Sequence, residues 1–236
     1  MTHRWNDAAE TRKRQIESGI DLTFSKVFVP YFQRKISELK PKRVLEIGGG
    51  TGHLAAVLSS AVEHYVMIEP SPGMFAVATH VLLATDVELH NCTIEVFKNP
   101  ASFDLVLSHM CIQTVANSDM FLLSSARHVH ARGKLLLSLP HPAFYNEYKK
   151  FFDPQTFRYI RQRSGTVNFS ITLDPEEVIQ GVPYHHRPVS EYISSFSSAG
   201  LCVSSLDEIY PSQEIQSLYG QNWENPRYMV IGGIRH

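Results

Sequence analysis

Gly48, Gly50 and Gly52 close the apolar run Val44-Leu45-Glu46-Ile47, and an acidic residue, Glu69, closes the next one, His64-Tyr65-Val66-Met67-Ile68. Glycines at a strand end let a ligand approach backbone that any Cβ would shield, and a carboxylate about 20 residues on can accept both hydroxyls of a ribose. The pairing describes a nucleoside pocket. The spacing argues against two phosphate-binding turns. A dinucleotide turn, Gly-x-Gly-x-x-Gly, has a third glycine where this chain has His53, and a phosphate loop needs Lys and then Ser or Thr where this chain has His53-Leu54. What remains is a loop suited to an uncharged sugar and an amino-acid tail. Beyond it, His109, His141 and His186 are the side chains whose ordinary pKa fits a general base at neutral pH.

Positioning these groups requires strands and helices in alternation. Phe28, Tyr31, Phe32, Ile36 and Leu39 recur at spacings of three and four, which predicts a helix ending before Pro41. Strands are expected near 43–47, 65–69, 87–90, 104–109 and 134–139, with helices near 52–61, 72–84 and 117–130. The alternation implies right-handed crossovers and a parallel sheet covered on both faces, with ligands beyond the carboxyl ends of the strands. His109 and His141 then fall just past the fourth and fifth strands. A helix near 188–199, a strand near 201–209 and the run Tyr228-Met229-Val230-Ile231-Gly232-Gly233 end the chain.

From about Trp5 to Arg235 the sequence resembles the class I methyltransferases that use S-adenosylmethionine, in particular the small-molecule branch related to quinone biosynthesis. The family's first strand ends in an acid followed by Gly-x-Gly-x-Gly, matched by Glu46, Gly48, Gly49, Gly50 and Gly52. Its second strand ends in the ribose acid, matched by Glu69 with Pro70, and its next helix starts with Ser71 and sets Met74 against adenine. Its third strand usually ends in Gly-Asp-Ala, whereas this chain has His90-Asn91-Cys92, so Asn91 stands in for the acid with Cys92 beside it. Phe103, Asp104 and Val106 match the fourth strand, which brings Ser108 to the cofactor edge, and residues 133–138 match the fifth. The resemblance implies a Rossmann-like, doubly wound α/β sheet of seven strands, mostly parallel, with an antiparallel C-terminal strand. It also implies an N-terminal helical cap that carries Trp5, Asp21, Thr23 and Phe24 over the methionine end of the cofactor. It places His141 and His186 near the acceptor, ahead of His109.

One catalytic domain is expected: residues 1–40 as cap, 41–140 as cofactor-binding core, 141–187 as substrate lid and 188–236 as C-terminal helix and hairpin strands. The 236 residues, 43% of them hydrophobic, suffice for one core. A net charge of −1 offers no general attraction for nucleic acid or membrane, and no run reaches the roughly 18 apolar residues that span a bilayer. A small-molecule substrate and a cytoplasmic monomer or homodimer are therefore expected. Cys92, Cys111 and Cys202 lack metal or disulfide spacing and read as reduced core residues, and no metal is expected. The segment 141–187 reads as the least regular, yet it holds nine of the chain's 25 aromatics and should lie over the acceptor. Those rings could also form a secondary core, just as Met74 could be plain core. Arg158, Arg161 and Arg163 read as a solvated face. Methyl transfer leads the readings. The alternatives are attack by the cofactor's own amine, releasing methylthioadenosine and using Asn146, Tyr184 and Ser212, and a non-catalytic binder of the cofactor. A dehydrogenase is remote, since the third glycine of its turn is missing.

Overall fold

The computed structural model describes residues 3–235. Strands β1 (Arg43–Ile47), β2 (His64–Ile68), β3 (Glu88–His90), β4 (Phe103–His109), β5 (Val129–Pro140), β8 (Leu201–Ile209) and β9 (Tyr228–Arg235) form one sheet in the order β3-β2-β1-β4-β5-β9-β8. The first five are parallel, and β9 lies antiparallel between β5 and β8. Successive strand residues face opposite sides, and the sequence fills both sides with apolar groups. Val44, Tyr65, Met67, Leu107 and Val230 pack beneath helices α3 (Val29–Leu39), α4 (His53–Leu58) and α5 (Pro72–Val81). Leu45, Ile47, Val66, Ile68 and Met229 pack beneath α6 (Ser118–Arg127) and α8 (Val189–Ser198). Strand order reverses between β1 and β4, so the crevice for a ligand opens where both strands end.

Two attachments roof this crevice. The N-terminal one comprises α1 (His3–Asp7), α2 (Ala9–Glu17) and a π-helical stretch, Thr23–Phe28, leading into α3. It is tied to the core by Asn6, whose Oδ1 accepts from the Ser71 hydroxyl at 2.6 Å and from the Gly73 amide at 3.0 Å, at the N-terminus of α5. Gly73 is required for that approach: a Cβ there would stand 2.6 Å from the Asn6 Cα and carbonyl oxygen.

The second attachment corrects the expectation of an irregular lid. After α7 (Tyr145–Lys149), β6 (Arg163–Ile171) and β7 (Asp174–His186) form an antiparallel ribbon, closed by the turn at Thr172-Leu173. Its sequence hides this, because Pro175, Gly181 and Pro183 interrupt β7, and the register shifts near Val167 and Phe169. A two-stranded ribbon tolerates such residues, since each strand keeps one edge outside the ladder. Cap and lid meet: Gln15 donates to Asp174 at 3.0 Å, Thr11 to Glu177 at 3.1 Å, and Arg14 lies 3.3 Å from Glu177. Arg158, Arg161 and Arg163 are exposed, as expected. Cys202 is not core; it sits on the solvent side of the edge strand β8. Among the described residues no helix is long and apolar enough to cross a membrane.

Gly73→Ala should therefore loosen the cap, because the obstruction is backbone and cannot swing aside. Denaturant titration should show a loss of about 1–3 kcal/mol.

Candidate active site

The glycine bend begins at the end of β1. Gly48, Gly50 and Gly52 have φ of 70°, 59° and 80°, a region that residues with a Cβ enter only under strain. Gly48 has a second reason to be glycine, since its Cβ would meet the Cys111 sulfur at 2.7 Å. The bend is locked to the next strand by Glu69. Its Oε2 accepts from the Gly50 amide at 2.8 Å and its Oε1 from the Ser71 amide at 2.7 Å. Burial pushes the Glu69 pKa up and the two amides oppose that shift. Each carboxylate oxygen keeps a further lone pair that a ligand hydroxyl can use.

Glu46 is a second buried carboxylate on the same cavity. Tyr65 donates to it at 2.7 Å, yet burial, with Glu69 nearby, pushes its pKa up to about 7. Two acids beside bare backbone prepare this end of the cavity for positive charge.

One continuous cavity joins the bend to the roof. Of the residues expected at the cofactor, Glu46, Gly48, Gly49, Gly50, Glu69, Pro70 and Met74 line it. So do Trp5, Asp21, Thr23 and Phe24 of the cap. Gly52 instead packs against Leu82 and Ala78, and Ser71 caps α5. Asn91 and Cys92 stand outside the lining, with the Asn91 amide nitrogen donating to the Glu69 carbonyl at 2.7 Å. Ser108 also stands outside, donating across the crevice to the Ile47 carbonyl at 2.9 Å.

The expected acceptor residues divide similarly. His141 is turned away from the cavity. Its Nδ1 accepts from the Ala143 amide at 3.2 Å, which leaves the ring proton on Nε2 for Glu208 at 3.0 Å. Neither nitrogen is free to take a proton. His186 donates Nε2–H to the Tyr159 carbonyl at 2.8 Å and packs on Phe157, also outside the lining. Asn146 spends both amide ends on the Phe152 backbone, and Ser212 caps α9 (Gln213–Leu218). His109 and Tyr184 do line the cavity. His109 Nδ1 is held by the Ser138 hydroxyl at 2.7 Å, its ring lies 4.5 Å from that of Phe28, and burial pushes its pKa down to about 4. It is uncharged at neutral pH and a weak base.

Several lining residues carry no motif. Gln113 contributes a buried Oε1 without a hydrogen-bond partner among the described residues. Arg12 lines the wall with its guanidinium on Asp21 at 2.5 Å, and Tyr145, Tyr148, Lys149, Phe169 and Tyr228 line it as well. Only the aromatic enrichment of 141–187 signalled any of these.

A profile of the methyltransferase domain matches residues 12–197, most of the chain. The chain belongs to the methyltransferase domain family. It is 23% identical over 227 residues to a malonyl-[acyl-carrier protein] O-methyltransferase of Bacillus cereus, covering 94% of this chain and 84% of that one. Among solved structures, an S-adenosylmethionine-dependent methyltransferase of Clostridium acetobutylicum superposes with a TM-score of 0.68 at 12% identity over 98% of each chain. An amino pentose methyltransferase of Micromonospora echinaspora, solved with S-adenosylmethionine bound, gives 0.57 at 16% identity over 88% of this chain and 90% of that one. The methyltransferase fold thus places its glycine bend and second-strand acid on a single cavity closed by cap and lid.

Gly48→Ala tests the bend. The added methyl meets both an adverse φ and the Cys111 sulfur, so thermal unfolding should move to lower temperature. Cys111→Ala in the same chain should restore part of the loss by removing the sulfur.

Proposed function

We propose that this methyltransferase moves the methyl group of S-adenosylmethionine to a small-molecule acceptor in the cytoplasm, acting as a monomer or homodimer. The observation that carries the reading is the juxtaposition of a glycine bend with Glu69, whose carboxylate accepts from the Gly50 amide on the wall of the same cavity. These residues fit the cofactor. Glu69 offers its remaining lone pairs to the ribose hydroxyls, Met74 and Pro70 offer apolar surface to the adenine, and Glu46 and the Gln113 Oε1 face positive charge at the amino-acid end.

When bound, the sulfonium supplies an activated methyl carbon, and the reaction is an in-line displacement. The protein's part is then to hold nucleophile and carbon in line and to exclude water. Cap and lid close over the crevice through the Gln15–Asp174 and Thr11–Glu177 hydrogen bonds. Of the three histidines considered as bases, His109 alone lines the cavity, and its Nε2 is the nitrogen the fold leaves uncommitted. His109 can position a polar acceptor atom, but with a pKa near 4 it takes a proton poorly. An acceptor that is already anionic at neutral pH suits this site best.

Incubation with S-adenosylmethionine, alone and then with cell extract, tests the reading by mass spectrometry of the sulfur product. S-adenosylhomocysteine that appears only with extract is expected; methylthioadenosine without any acceptor would mean ring closure. Glu69→Ala removes two charge-assisted hydrogen bonds to ribose, each worth about 1.5–3 kcal/mol, so calorimetry should show at least about tenfold weaker cofactor binding.

The Glu46 shift predicts a pH dependence. Its carboxyl is about half protonated near pH 7, and an approaching cation favours the ionised form. Cofactor affinity should therefore rise as pH increases through about 7, and Glu46→Gln should flatten that profile when calorimetry is run between about pH 5.5 and 8.

A further inference from the structure

Beside the glycine bend the cavity carries two acids, Glu46 and Glu69, and on the lid side it carries a lysine. Lys149, on α7, lines the lid end; its ammonium donates to the Ser170 carbonyl at 2.8 Å and lies 4.7 Å from the centre of the Tyr148 ring. The same ring carries a second cation, the Arg227 guanidinium, 3.8 Å from its centre and also 4.3 Å from the centre of a Trp223 ring. Arg227 is buried, at 7% exposure, and its Nη1 has no hydrogen-bond partner among the described residues.

Among the described residues neither cation meets a carboxylate within ion-pair distance. The cap's cations differ: Arg12 holds Asp21, and Arg14 holds Asp174 and Glu177. Two positive charges drawn to one phenol repel each other, and burying a guanidinium with an unused donor is costly. Rings alone compensate this weakly; an anion in the cavity would pair with the Lys149 ammonium directly, while Arg227, held on the Tyr148 ring outside the cavity lining, would attract it from a distance. The acids of the cavity are placed elsewhere. Asp21 is occupied by Arg12, while Glu46 and Glu69 belong to the glycine end.

The surroundings describe the rest of such a ligand. Tyr145, Phe151, Phe169, Tyr184 and Tyr228 line the same end, and the Tyr145 ring packs 5.7 Å from Phe151 and 5.6 Å from Tyr228. An apolar body fits among them, and an ammonium beside Lys149 would be repelled. Resting on the proposed methyl transfer, and naming its substrate class, we propose that the acceptor is a small organic acid with an apolar body, whose carboxylate pairs with Lys149 in a field reinforced by Arg227.

The test uses the full chain saturated with S-adenosylhomocysteine, whose own binding is first measured by calorimetry. Failure of that first step would count against the proposed function rather than against the acid subsite. Benzoate, phenylacetate and octanoate are then titrated beside their primary amides and the corresponding amines. Binding of at least one acid is expected, at least about tenfold tighter than its amide and with no binding of the amine. Lys149→Met should abolish this preference while leaving the S-adenosylhomocysteine affinity within about twofold, and Lys149→Arg should restore it, which separates lost charge from lost folding. Arg227→Met should reduce the preference severalfold. Absence of acid binding, equal binding of acid and amide, or a Lys149→Met effect confined to the cofactor would each overturn the proposal.

Discussion

A single buried carboxylate organises this molecule. Glu69 accepts amide hydrogens from Gly50 and Ser71, so it joins the bend after β1 to the turn that starts α5. Burial raises the pKa of this carboxylate, and the two backbone donors oppose that rise. The same bonds aim its free lone pairs into the crevice. The structural role and the proposed ligand-binding role thus fall on one group, and the positive φ angles of Gly48, Gly50 and Gly52 let the backbone close around it.

The closure of the site follows from this anchor. Ser71, held through its amide by Glu69, gives its hydroxyl to Asn6, and Asn6 fixes the cap. The cap in turn meets the lid ribbon through Gln15 and Thr11. Hydrogen bonds therefore run from the glycine bend to both roofing elements, so the bend and the roof share supports. Electrostatics divide the cavity in the opposite sense. Glu46 and Glu69 line it beside the glycine bend, Lys149 lines it from α7, and the neutral His109 lines the wall near the end of β4.

Some of this was legible in the residue order. The alternation of apolar strands with amphipathic helices located the sheet, because period two and period 3.6 are local properties of the chain. The bend and Glu69 were legible for a similar reason: both sit at strand ends, and parallel strands place their ends on one edge. The ribbon β6–β7 was not legible, since Pro175, Gly181 and Pro183 break the pattern that a strand in a wide sheet would keep. The histidines were the least readable. His141 and His186 stand at or near the proper edge in sequence, but a ring's usefulness depends on which nitrogen is already spent. Glu208, Ala143 and Tyr159, all fixed by tertiary contacts, spend them.

By itself the sequence determined the parallel sheet, the bare bend and the acid that faces it, because each depends on residue type and spacing along successive strand-helix-strand units. Only the tertiary structure decided which side chains share the cavity with them. It joined Lys149 and Arg227, 78 positions apart, on the Tyr148 ring and turned His141 toward Glu208. Such encounters arise from β5, β8, β9 and the lid folding over one another. No local period encodes them, since the partners meet through packing between elements distant in the chain.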